Sequence, residues 1–187
     1  MRMMMLGMVL GLSLSNPIYA GPYFNPPEGG PKEEMAEFEN LLNQARKSII
    51  DMLDSWESDP DAAKKNQGEA VDTLSRAEKV LLSIPEPKVT GLIVSSEFLT
   101  SDVQTAAYSE VAAALEPLGL KAPLTYGEML DNTIQLTTRF RETIAEIEII
   151  PFPEGWEQSR KAIRADAEMV QVGSAFSALA QAARSAN

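Results

Sequence analysis

The sequence predicts an all-α protein, a mainly antiparallel bundle of four or five helices preceded by an extended Pro-rich N-terminal arm. Three observations carry this. Apolar residues recur at alternating steps of three and four along most of the chain after residue 31, the period of a helix with one buried face. Hydrophobic residues make up 44% but aromatics only 6%, so the core is built from Leu, Ile, Val, Ala and Met. That favours packed helices over a β-sandwich, which leans on aromatic and β-branched side chains. Finally, helix-opening and helix-ending residues divide the chain at regular places. The 187 residues suit one domain.

Residues 1–20 have the order of an export signal. Arg2 supplies a minimal positive start, Met3–Leu14 is apolar, and Ser15-Asn16-Pro17 breaks the stretch. Ile18-Tyr19-Ala20 before Gly21 resembles a signal peptidase site. The apolar stretch falls short of the roughly 20 residues that span a bilayer, so no stable transmembrane helix is expected after processing. The expected location is the periplasm, the extracellular space or a thylakoid lumen. Residues 21–31, GPYFNPPEGGP, cannot hold a helix or a central strand, because Pro lacks the amide donor. They read as an extended arm leading into a single domain over 32–187. Tyr23 and Phe24 beside Pro26 and Pro27 are candidates for docking into a partner's groove.

The first helix is expected from about Pro31 to Ser58. Met35, Phe38, Leu42, Ala45, Ile49, Met52 and Trp56 form one stripe, and Glu33, Glu34 and Glu37 suit the positive end of the helix dipole. Asp59-Pro60 is an N-cap followed by proline in the first turn. A second helix therefore starts at once, carrying Ala63, Ala70, Leu74, Ala77, Leu81 and Ile84 up to Pro85. So short a join forces a helical hairpin. Val89–Val94 would suit a short strand, but no partner strand is evident and Leu92, Ser96, Leu99 and Val103 fit helical spacing, so residues 89–100 read as helix or irregular chain. Ser101 to Gln104 resembles a capping box, opening a helix that holds Val103, Ala106, Ala107, Val111, Ala114 and Leu115. After a loop over 117–123, Thr125 to Glu128 forms another capping box. The helix behind it carries Leu130, Ile134, Thr137, Phe140, Ile144 and Ile147. Pro151 to Trp156 punctuates. A last helix follows with Trp156, Ile163, Ala167, Val170 and Phe176, fading into the Ala- and Ser-rich tail of residues 173–187. No internal repeat period is evident, which argues against a solenoid.

Charge and absences limit the function. The net charge is −11, and without residues 1–20, whose only charge is Arg2, it is −12. Nucleic-acid binding, which depends on neutralising phosphates with Lys and Arg, is disfavoured. The chain has no Cys and no His, which excludes Ser-His-Asp and Cys-His triads, zinc fingers, haem attachment through Cys-x-x-Cys-His and Glu-x-x-His di-iron sites. No cofactor or metal is expected, although Asp, Glu, Lys, Ser and Tyr can still catalyse.

The remaining candidates are few. Glu142 and Glu146 sit one turn apart, with Glu128, Asp131 and Glu148 on the same segment. Without a calcium loop they read as a solvated helix face. Met35, Met52, Met129 and Met169 are too dispersed for thioether ligation and read as core. Trp56 and Trp156 lie near helix ends, where they would staple the bundle. Phe152 and Trp156, with Pro151 and Pro153, would form an exposed apolar knuckle. Arg160, Lys161 and Arg164 are the only dense basic cluster after residue 20; they either grip an acidic partner or pair with acids of their own bundle.

These features point to an exported, non-catalytic binding or assembly protein with a protein partner, in one form an extrinsic subunit docked on a membrane complex. Export signal, Pro-rich arm and Cys-free helical bundle resemble, in plan alone, the small extrinsic lumenal subunits of photosystem II. The plan differs in suggesting five helices, and no residue motif carries over. The alternative is a periplasmic or lumenal carrier of a small ligand or cation, with its pocket between helices. An enzyme using a carboxylate pair is a third class.

Overall fold

A computed structural model describes residues 29–94 and 102–184. The signal-like segment 1–20, arm residues 21–28 with Tyr23 and Phe24, residues 95–101 with the expected cap at Ser101, and the last three residues lie outside them. Among the described residues the protein is all-helical. Its elements are α1 (Lys32–Ser55), α2 (Pro60–Leu82), α3 (Asp102–Leu115), α4 (Tyr126–Ala145) and α5 (Trp156–Arg184), with 3₁₀ turns at Glu86–Lys88 and Glu116–Leu118.

The predicted stripe of α1, from Met35 through Phe38, Leu42, Ala45, Ile49 and Met52 to Trp56, is buried throughout. The Asp59 carboxylate accepts a hydrogen bond from the Ala62 amide at 3.0 Å, so the chain turns within Trp56–Asp59 and α2 runs back along α1. At the far end, Lys88, just beyond α2, pairs with Glu34 in the first turn of α1. Burial of Ala63, Ala70, Leu74, Ala77 and Leu81 completes this hairpin, with Ile84 buried just past its end.

α2 also packs along α4. Gln67 Nε2 donates to the carbonyls of Ile144 and Ile147 at 2.8 and 2.7 Å, supplying a donor where the end of a helix leaves its carbonyls unpaired. Further along α2, the Glu78 carboxylate accepts from Thr138 Oγ1 at 2.7 Å and Arg141 Nε at 3.0 Å. The capping box of α4 is complete. Thr125 Oγ1 accepts from the Glu128 amide at 3.1 Å, and the Glu128 carboxylate accepts from the amides of Thr125 and Leu124. Met35, Met52, Met129 and Met169 are all core.

Residues 89–94 are irregular chain, one of the two forms expected of this stretch: Leu92 faces Thr125 in an isolated antiparallel bridge, and the amides of Ile93 and Val94 both donate to the Leu124 carbonyl. Two expectations need correction. On α3 the buried line is Gln104, Ala107, Val111, Ala114 and Leu115, while Val103 is 72% exposed and Ala106 is exposed. The last helix does not fade at residue 173 but continues to Arg184, burying Ala162, Ala165, Met169, Val172, Ala175, Phe176, Leu179, Ala180 and Ala182. Ile163 and Val170 sit on its flank and Ala167 faces solvent. Both phase errors have one cause: α3 and α5 pack mainly against each other, and small residues permit that approach. Ala is also the strongest helix former, so an Ala-rich tail prolongs a helix once one face is buried. The start of α3 meets the end of α5 through Gln104 Nε2, which donates to the Ala182 carbonyl at 3.3 Å.

Candidate docking surface and a groove at the far end of α4

The knuckle after α4 is fixed by the end of the α1–α2 hairpin. Trp56 is buried, and its indole N–H donates to the Ile150 carbonyl. The Glu57 carboxylate accepts from the Phe152 amide at 2.6 Å. Gly155 makes the tight return possible, because a Cβ there would lie 1.7 Å from the Ile150 carbonyl oxygen. The Phe152–Pro153 peptide bond is cis.

On this base the knuckle presents its aromatics outward. Phe152 is 48% exposed and stands edge-on to the half-buried Trp156, with ring centroids 5.8 Å apart and an interplanar angle of 80°. One turn further along α5, the Arg160 guanidinium carbon lies 5.9 Å from the Trp156 ring centroid, within cation–π range. Arg164 continues the row at the same four-residue step. Its Nε reaches Glu168 at 3.1 Å, and Arg160 reaches Glu157 at 3.8 Å. These pairs are short-range contacts within α5 on exposed side chains, each contributing little, so neither arginine is committed to another helix. Lys161 is exposed beside them. The structure therefore brings Phe152, Trp156, Arg160, Lys161 and Arg164 onto one end of α5. The other two predicted contact residues, Tyr23 and Phe24, lie outside the described residues.

A second concavity lies at the opposite end of α4. It is an open groove of about 990 Å³ between α3, the 120–124 connection and the first turns of α4. Tyr108 forms one wall, its hydroxyl donating to the Ala122 carbonyl at 3.3 Å. Burial, and secondarily the charge of Glu128, pushes that phenol above its ordinary pKa. Asn132 Nδ2 donates to the Lys121 carbonyl at 2.9 Å and pins the connection. Glu116, Glu128 and Asp131 outnumber Lys121 on the lining. Sequence reasoning did not single out this groove, because it arises where α3 and the start of α4 diverge and no spacing along one helix signals that.

Glu142 and Glu146 are exposed, and Glu142 lies 3.6 Å from Arg141. Among the described residues no three Asp or Glu side chains gather closely enough to hold a metal ion. No described helix is long and apolar enough to cross a membrane. No protein-family model matches the chain, and neither the curated proteins nor the solved structures contain a significant match.

Proposed function

We propose that this chain is an exported, non-catalytic docking protein, an antiparallel bundle behind a Pro-rich arm. Phe152, Trp156, Arg160, Lys161 and Arg164 engage an acidic surface on a protein partner, such as a subunit of a membrane complex. One observation carries the reading. The T-shaped Phe152–Trp156 pair, with Phe152 half exposed, runs directly into the basic cluster of a chain whose net charge is −11. Aromatic residues and Arg are the side chains that most often anchor interfaces, and the local positive charge selects an acidic counterpart.

The test is a crosslinked pull-down from the native membrane fraction, with mass spectrometry on the prey and on the bait's N-terminus. The expected result is a stoichiometric partner and a bait starting near Gly21. Capture should fall at least about tenfold, or about 1.4 kcal/mol, for the double substitution Phe152→Ser with Arg160→Glu, at unchanged melting temperature. A monomer without a reproducible partner, or equal capture by the double variant, would sink the proposal.

The groove beside Tyr108 favours a second reading, a carrier of a small organic cation with an apolar body. Asp131→Asn and Tyr108→Ala should each weaken such binding in a thermal-shift titration. The calcium form of this reading fails if Ca²⁺ at millimolar concentration leaves melting unchanged.

A further inference from the structure

α1 and α5 touch only sparsely, yet Arg46, on the side of α1 that meets α5, is the one charged residue classed as buried among those described. Its Nε donates to Asp166 Oδ1 at 2.7 Å, with the two side chains 7% and 19% exposed. Both terminal nitrogens, Nη1 and Nη2, are enclosed and have no hydrogen-bond partner. A guanidinium is a rigid planar fork whose terminal N–H groups match the two oxygens of a carboxylate or phosphate. Here Asp166 engages only the Nε corner, so the rest of the fork is desolvated without acceptors. Such groups are costly to bury. Among the described residues no acid apart from Asp166 accepts from this fork. Two turns before Asp166 on α5, Gln158 Oε1 is likewise enclosed and unpartnered.

We infer that Arg46 is a receptor for a small oxyanion, either an inorganic tetrahedral anion or a carboxylate, held between α1 and α5. Nη1 and Nη2 donate to two oxygens of the anion, and Asp166 fixes the plane of the guanidinium through Nε. Entry is from the side of Asp166, whose side chain is 19% exposed, and requires α5 to move slightly away from α1. Because Asp166 already neutralises the guanidinium, binding is weak, in the millimolar range. It is also selective for forked acceptors over chloride. The site is independent of the docking surface at the start of α5.

The experiment is thermal unfolding of the full chain by circular dichroism, in phosphate, sulfate or acetate titrated against chloride at matched ionic strength. Wild type should show a saturable rise in melting temperature with at least one oxyanion. Phosphate and sulfate against acetate distinguish the two anion types. Arg46→Lys, which keeps the charge and loses the fork, should abolish the response. Asp166→Asn, which removes the competing charge, should lower the half-saturating concentration about tenfold. An ion pair serving structure alone would give wild type and Arg46→Lys the same anion dependence, and that result overturns the inference. So does a wild-type response no greater than chloride's. If Arg46→Lys fails to fold, ¹⁵N spectra of the wild-type guanidinium groups decide. One Arg resonance must shift with the effective anion, and none shifting is refutation.

Discussion

α1 and α5 are both long helices, but they are built on opposite principles. α1 buries large side chains in one regular stripe, with Phe38, Leu42 and Met52 almost wholly enclosed. Half of the residues that α5 buries are Ala, and Met169, Phe176 and Leu179 are the largest of the rest. In α1, apolar area drives association, at roughly 25 cal/mol for each Å² removed from water. In α5, small residues set how near the backbones come, and stability rests on dense contact at short distance. Removing volume should therefore damage α1 most, and adding volume should damage α5.

The largest effect is expected in α1. Phe38→Ala should cost about 3–5 kcal/mol, read as a lower denaturation midpoint with a nearly unchanged slope. Since a typical domain has only about 5–15 kcal/mol in total, this variant will sit close to unfolding. Ala175→Leu tests the other helix and should cost about 1–3 kcal/mol through overpacking. The contrast between the helices fails if Ala175→Leu is neutral, because α5 would then have slack at a position the structure shows enclosed.

This difference explains what the sequence revealed. Every residue of the predicted α1 stripe is buried, and Met35 and Phe38 stand out in hydropathy from the Glu residues beside them, although Leu41 and Leu53, buried on the same helix, were not named. The Asp59-Pro60 start of α2 and the Thr125–Glu128 box were legible too, because their chemistry is local. The phases of α3 and α5 were not legible, because Ala is equally at home inside and outside a helix bundle. Ile163 and Val170 each stand one residue past the buried Ala162 and Met169, whereas Phe176 was named correctly. On the surface, Phe152, Trp156 and Arg160 could be named from spacing. Their anchoring through Trp56, Glu57 and Gly155 depends on contacts across nearly a hundred residues. Arg46 was invisible for the same reason: it follows Ala45 on the stripe's edge, and only Asp166, 120 positions later, shows what it does.

A cap should matter less than either packing change. Thr125→Ala removes one half of the box at the start of α4 and should cost about 1 kcal/mol. It should also loosen the Leu124 and Thr125 amides now held by Glu128. Faster hydrogen exchange at those two amides is the specific sign. A stability loss without it would place the effect elsewhere in α4.

The smallest effects separate two carboxylates on α1 by the sign of their pH dependence. The hydrogen bond from Lys88 holds Glu34 below the ordinary Glu pKa. Its charged form therefore stabilises the fold above the unfolded-state value, and that contribution is lost as pH falls through the lowered one. Desolvation pushes Glu39 the other way. The folded protein holds that proton more tightly than the unfolded chain, so stability declines as pH rises through the elevated pKa. Glu34→Gln should thus be less stable than wild type at neutral pH, and Glu39→Gln more stable, with both differences fading in acid. Denaturation midpoints of the three proteins, followed from neutrality to below the ordinary Glu range, check this. Only opposite signs fit: Glu34 is tied to Lys88 across the hairpin, while Glu39 gives up hydration without gaining a cation. A loss of stability in Glu39→Gln at neutral pH would mean that its carboxylate has a donor in solution, and that the flank of α1 packs differently from the structure.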